Sequence, residues 1–266
     1  MQTFRYDDPV VARFPTIHTA LVHATGLRNG PSAPDLQQAY GAEQRIAADR
    51  LVATPVAQMP SIAAWRRVFA GFGARPTQYR SAAEALLRRV ARHGDIPSIN
   101  TLVDLGNLVS IRHALPVAVL DLAGVAGPIT VRFATGSERF TDLGAADSVA
   151  PEPGEVVFAD RDDVVCARRW CWRQSAQSAT GPATVEALVV IEGHHQTADR
   201  DVSDALADVV ALLATFQPAA RVATYRLSAA APASGAPGRP ADRYRSSSAS
   251  SRRAASVTPN AIITRK

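Results

Sequence analysis

The 266-residue chain is 47% hydrophobic and 20% charged, an ordinary globular composition able to bury one large core or two modest ones. It excludes a collagen-like, mucin-like or wholly disordered chain, and without a run of about 18 apolar residues it excludes a membrane-spanning helix. The net charge of +5 divides unevenly: residues 229–266 hold seven basic residues and one acidic, or +6, so residues 1–228 stand at −1. Basicity therefore belongs to the tail and is no argument for nucleic-acid binding by the folded part.

No apolar signal core lies in Met1–Pro9, and the two cysteines, Cys166 and Cys171, are too few for a disulfide framework. Both features fit a reducing cytoplasm. The chain then mixes helices and strands. Ile17 to Val22 reads as a strand, and Pro34 to Val52 as a helix with Leu36, Tyr40, Ile46 and Leu51 loosely periodic. Ser61 to Phe72 fits a short helix. Ser81 with Glu84 is a capping-box signature that opens another helix, ending at Gly94. Asn100 to His113 follows as a helix stopped by Pro116.

Val117 to Leu122, Ile129 to Phe133, Val156 to Ala159 and Val164 to Arg168 read as strands, the last two joined by the turn-forming Asp160–Asp163. Val185 to Ile191 is too apolar for an exposed strand and is expected at the centre of a sheet. Asp204 to Phe216 is expected to close the domain as an amphipathic helix. This order predicts an α+β domain over residues 1–228, with a mixed or antiparallel sheet core and helices packed on it. In residues 229–266, 23 of 38 are Ala, Ser, Pro or Gly, which predicts a disordered basic tail.

Three features carry chemistry. Asn100, Asp104 and Asn107 lie at i, i+4 and i+7, one face of an otherwise apolar helix. Buried polar groups must be hydrogen-bonded, so this face meets either neighbouring backbone or a ligand. Arg168-Arg169-Trp170-Cys171-Trp172-Arg173-Gln174 leaves a predicted strand, and alternation would set Arg169, Cys171 and Arg173 opposite Arg168, Trp170, Trp172 and Gln174. Its Trp and Arg side chains either engage bases and phosphates or form core, with arginines paired to Asp160, Asp162 and Asp163. Glu192, leaving the most apolar strand, is placed for recognition or acid–base work. Cys166, Cys171, His194 and His195 have no finger or ribbon spacing, so no metal is expected.

Taken in order, Ile99-Asn100 through Asp104 and Asn107, then Leu115-Pro116 to Asp121, resemble the B3/B4 domain of the phenylalanyl-tRNA synthetase beta subunit. Arg132, Gly154-Glu155, Ala159-Asp160 and Ile191-Glu192 follow in the family's order. Arg75-Pro76, Ser81 to Arg89 and the Trp172-Arg173-Gln174 run resemble a free-standing branch. The resemblance covers roughly residues 10–215.

It implies tRNA or aminoacyl-tRNA as partner, no cofactor, and hydrolysis of a mischarged tRNA in trans. Glu192 would read the wrong amino acid's hydroxyl, and Asn100, Asp104, Asn107, Trp172, Arg173 and Gln174 would line the substrate site. The family's histidine position is Ala118 here. Hydrolysis and a non-catalytic module for an amino-acid-like ligand therefore both stay open. The synthetase's catalytic core is absent from the 266 residues, so amino-acid activation is not expected.

Overall fold

The computed structural model describes residues 3–234. In chain order the elements are β1 (Phe4–Tyr6), α1 (Asp8–Arg13), β2 (His18–Thr25), α2 (Pro34–Ala53), α3 (Pro60–Gly71), α4 (Ala82–His93), α5 (Thr101–His113), β3 (Val117–Asp121) and β4 (Ile129–Phe133). Then come β5 (Phe140–Thr141), β6 (Ser148–Val149), β7 (Val156–Ala159), β8 (Val165–Arg168), β9 (Arg173–Gln174), β10 (Glu186–Gly193), α6 (Ala198–Phe216) and β11 (Arg221–Ser228).

The fold is α+β and holds two main sheets. One is mixed, ordered β1-β4-β7-β8-β9, with β1 parallel to β4 and the rest antiparallel. The other, β11-β2-β10-β3, is antiparallel throughout. The expected central position of the 185–191 run is found in β10, between β2 and β3. Its apolar character follows from cover on both faces. Ala187, Val189 and Ile191 pack with α2, α4, α5 and α6, while Leu188 and Val190 pack towards the mixed sheet and α3. The molecule is therefore layered as helices, antiparallel sheet, then mixed sheet with α3.

Local chemistry sets the helix ends. Ser81 Oγ accepts from the Glu84 N–H, and Gly94 closes α4 at φ +79°, a left-handed cap that glycine adopts without a Cβ clash. Glu84 turns away from the reciprocal half of the capping box and joins Arg66 and Arg88 instead. Asn100 caps α5 by accepting from Val103 N–H. A Cβ on Gly106 would stand 2.8 Å from Val119 Cγ2, so glycine is what lets α5 lie this close to β3.

Two expectations are corrected at the C-terminal side. The last helix does not close the domain: β11 follows it and pairs with β2 over eight residues. Within β11 only Leu227 is buried, so the strand carries little of the alternation that sequence reading depends on. Nor does the ordered chain stop at Ser228. Tyr6 N–H donates to Pro232 O at 2.9 Å, and Ser234, 1% exposed, binds Phe4 through both its backbone and its hydroxyl. Backbone pairing, which any sequence can make, holds this segment against β1. The remainder of the expected tail, from residue 235, lies outside the described residues.

The buried bonds of Ser234 are expected to contribute about 1–3 kcal/mol. A chain ended after Ser228 should therefore melt about 5 °C below one ended after Ser234, as read by thermal unfolding. Equal melting temperatures would contradict the docking of 229–234.

Candidate functional site

Alternation along β10 sends Glu192 to the layer between the two sheets, with Leu188 and Val190, and His194 follows directly after the strand. Glu192 lies opposite Thr19 of β2 and is 2% exposed. Tyr6 Oη, from β1, donates to its Oε1 at 2.5 Å and sits 2.6 Å from Thr19 Oγ1. Trp170 Nε1 donates to the same Oε1 at 2.8 Å. Burial pushes the carboxyl up to about 7, against the pull of those two hydrogen bonds. Burial, together with the neighbouring carboxylate, raises the Tyr6 phenol well above its usual range. The arrangement seats a phenolic hydroxyl on a buried carboxyl that exchanges its proton near neutrality.

His194 stands beside this group, its ring edge-on to Trp65 at 4.7 Å and Trp170 at 5.2 Å. Burial pushes its imidazole down to about 3, helped by the nearby His18 and His195. It is therefore neutral at ordinary pH. Its Nδ1 is 3.2 Å from Thr16 Oγ1, and among the described residues its buried Nε2 has no partner.

The Arg–Trp run does not continue as a strand. β8 ends at Arg168, and Arg169 and Trp170 take left-handed φ values of +45° and +62°. Such a conformation costs an L-residue of order 1–3 kcal/mol. What over-determines it is Trp170 N–H on Val156 O at 2.6 Å, Arg168 on Glu155 at 2.9 and 3.0 Å, and Arg169 close to Glu152 and Glu155. The expected alternation is thereby overturned: Trp170 turns inward to Glu192, whereas Trp172 turns out against Tyr79, 4.9 Å between ring centroids. The alternative in which these arginines pair with Asp160, Asp162 and Asp163 is not found: they pair with Glu155, Glu152 and Asp142. Asp160 instead accepts from the N–H groups of Asp162 and Val164 and so closes its own hairpin.

The other candidates scatter. Asp104, fully buried, accepts from Ser32 Oγ at 2.5 Å, from Ile99 N–H at 2.9 Å and from Ser98 Oγ, so it ties two loops to α5. Asn100 caps the helix and reaches Thr180 O at 3.3 Å; Asn107 is half-buried beside Tyr40. This polar face thus meets loops and neighbouring elements, on the helical side of the antiparallel sheet, and Glu192 lies on the other side. Gln174 donates to Val119 O and Ser178 O at 3.0 and 2.6 Å, stapling β9 to β3. Arg173 pairs with Asp142 and lies 4.7 Å over the Trp172 ring.

Sequence reasoning kept a core position for the Trp rings open but missed Tyr6 and the bond from Trp170 to Glu192. Tyr6 sits in a three-residue strand, too short for any periodic signal, and its contact with Glu192 spans 186 positions. Among the described residues no group of three or more His, Cys, Asp or Glu is arranged to hold a metal ion, and no helix is long and apolar enough to cross a membrane.

The B3/4 domain family matches residues 64–216, from within α3 to the end of α6. The phenylalanine–tRNA ligase beta subunit of Shewanella oneidensis is 30% identical over 81 residues, 30% of this chain and 10% of that protein. The chain thus spans about a tenth of that relative. An N-terminal fragment of the phenylalanyl-tRNA synthetase beta subunit from Pyrococcus horikoshii is a structural neighbour with 13% identity and a TM-score of 0.43, covering 83% of this chain and 50% of that one. Glu192 and Trp170 fall within the family match, and Tyr6 falls outside it.

The two perturbed groups give a pH signature. Glu192 holds its proton more tightly folded than unfolded, so its contribution is full below 4.5 and is lost as pH rises to about 7. His194 runs the other way: its contribution is full above 6.5 and is lost as pH falls towards about 3. Between these limits the slopes oppose each other. Glu192→Gln removes only the first, so the wild type should lose about 3 kcal/mol relative to the variant between pH 4.5 and 7. Denaturant unfolding of both proteins across that range measures it. A pH-independent difference would contradict the raised carboxyl.

Proposed function

Because the chain belongs to the B3/4 domain family, over residues 64–216, we propose that it is a tRNA-binding protein that clears a mischarged aminoacyl-tRNA in trans. The observation that carries this reading is the phenol of Tyr6 seated on Glu192 at 2.5 Å. A buried carboxyl that accepts a phenolic hydroxyl separates tyrosine from phenylalanine, since phenyl leaves the acceptor unpaired. In this reading the tyrosyl hydroxyl of the substrate takes the place of the Tyr6 phenol on the Glu192 carboxyl. Water then adds to the ester carbonyl, the ribose oxygen leaves, and the water's proton passes to it. The same reading places the protein in the cytoplasm with its charged tRNA.

A second reading has its own support. Oε1 of Glu192 already holds both Tyr6 and Trp170, and Ala118 stands at the family's histidine position. Both favour a binding module for an amino-acid-like ligand that performs no hydrolysis.

The test is release of amino acid from tyrosyl-tRNA(Phe), with phenylalanyl-tRNA(Phe) and other charged tRNAs as controls. Selective release of tyrosine is expected. Glu192→Gln should lower the preference for tyrosine about tenfold or more, and Tyr6→Phe, which frees the acceptor, should raise release. Equal release of tyrosine and phenylalanine would overturn the reading. Release from no substrate, with thermal stabilisation by tyrosine, would establish the second one.

A further inference from the structure

The turn that sends Trp170 inward also opens onto a groove on the opposite side. α4 buries Ala83, Leu87 and Val90, so its remaining face presents Arg88, Arg89 and Arg92 outward. Facing them are Trp172 and Arg173, and Arg80 stands at the start of the helix. The open groove they line has a volume of about 330 Å³, and no Asp or Glu lines it. The turn and the helix are joined directly, since Ala82 N–H donates to Cys171 O at 2.9 Å.

The positive charge here is under-compensated. Glu84, 1% exposed, lies beneath the groove and is shared by Arg66, Arg80 and Arg88 at 2.7, 4.0 and 2.9 Å, while Asp142 pairs with Arg173 at the rim. Arg89 Nε donates to Asp95 O at 3.1 Å and its guanidinium stands 4.0 Å from that residue's carboxylate, and Arg92 is exposed with no ion-pair partner among the described residues. Residues 1–228 sum to −1, so five arginines around one groove is a local concentration rather than an average property. Such a groove raises the local concentration of an anionic ligand.

Charge alone would describe a solvated helix face. The aromatic wall points further. Trp172 is half-buried, with the Arg169 and Arg173 guanidinium groups 5.0 and 4.7 Å from its ring centre, and a backbone with two left-handed non-glycine residues holds it there. Guanidinium groups beside a partly open indole take phosphates and a flat base together. Arg88 and Arg92 lie one helical turn apart, about 6 Å along the axis, which spans roughly two nucleotide steps of a stacked strand.

We propose that this groove binds a single-stranded RNA segment, with Arg88, Arg89 and Arg92 on its phosphates and a base against Trp172 and Arg173. The choice of RNA among polyanions rests on the tRNA-directed reading above. In this arrangement the turn 169–172 joins the two ends of the site, with Trp170 on the Glu192 carboxyl and Trp172 on the strand.

Fluorescence anisotropy of the full chain with a labelled single-stranded RNA ending in CCA tests it. The Arg89→Ala/Arg92→Ala variant removes two exposed guanidinium groups and leaves the buried Glu84 network intact; its melting temperature checks the fold. It should bind about tenfold more weakly, and the slope of log affinity against log salt should fall by about 1.4, two contacts at about 0.7 each. Trp172→Ala should weaken binding by a similar factor. Unchanged affinity and slope in both variants would overturn the groove and assign any binding to the tail arginines, which all the proteins share. No binding by the wild type, or equal binding of a poly-glutamate peptide, would overturn it as well. Amino-acid release is read separately. Loss of RNA affinity in the variants without any release would sustain the groove and end the editing reading. Release without groove dependence would do the reverse.

Discussion

The layer between the two sheets is built around one carboxyl that water does not reach. Burying Glu192 among Tyr6, Trp170 and the aromatic side chains of α3 costs several kcal/mol if it is charged and unpaired. The protein offsets this with two aromatic donors on one oxygen and with a carboxyl that is neutral over much of the acidic range. Each donor then imposes its own requirement. Trp170 reaches Glu192 only because Arg169 and Trp170 adopt left-handed backbone, held by Val156 O and the Arg168–Glu155 pair. Tyr6 reaches it only because β1 is fixed between β4 and the 231–234 segment.

Much of this architecture was legible in the sequence, for local reasons. The Ser81–Glu84 spacing and Gly94 delimit α4, and an unbroken apolar run marks β10 as a strand covered on both faces. These signals are written within a few residues of the structure they specify. The fate of the Asn100–Asp104–Asn107 face was not legible, because its alternatives differ only in which distant loop arrives. Ser32 and Ser98 arrive at Asp104. The turn at 169–170 was hidden too, since no glycine announces left-handed backbone there and the run alternates like a strand. Glu192 was visible by its place in β10, but its partner in β1 was not.

Fold and family say less about chemistry than the side chains do. The family match begins at residue 64, whereas the phenol that fills the Glu192 acceptor comes from residue 6. The part of the chain outside the match therefore contributes directly to the candidate site. Across β10 the polar stripe of α5 serves the helical layer, while the turn 169–172 places one Trp on the carboxyl and the other in the arginine groove. Two side-chain directions, two positions apart and set by two left-handed residues, thus connect a buried carboxyl to a cationic surface.

The layer between the sheets depends on Glu192 being a buried carboxyl whose charge is disfavoured by its surroundings and shared with Tyr6 and Trp170. Its direct measurement is a carbon-13 NMR titration of the Glu192 side-chain carboxyl, assigned by the Glu192→Gln variant. A midpoint near 7 is the expected result. A midpoint at the ordinary glutamate value, near 4.5, would mean that water reaches the group in solution and would contradict the account.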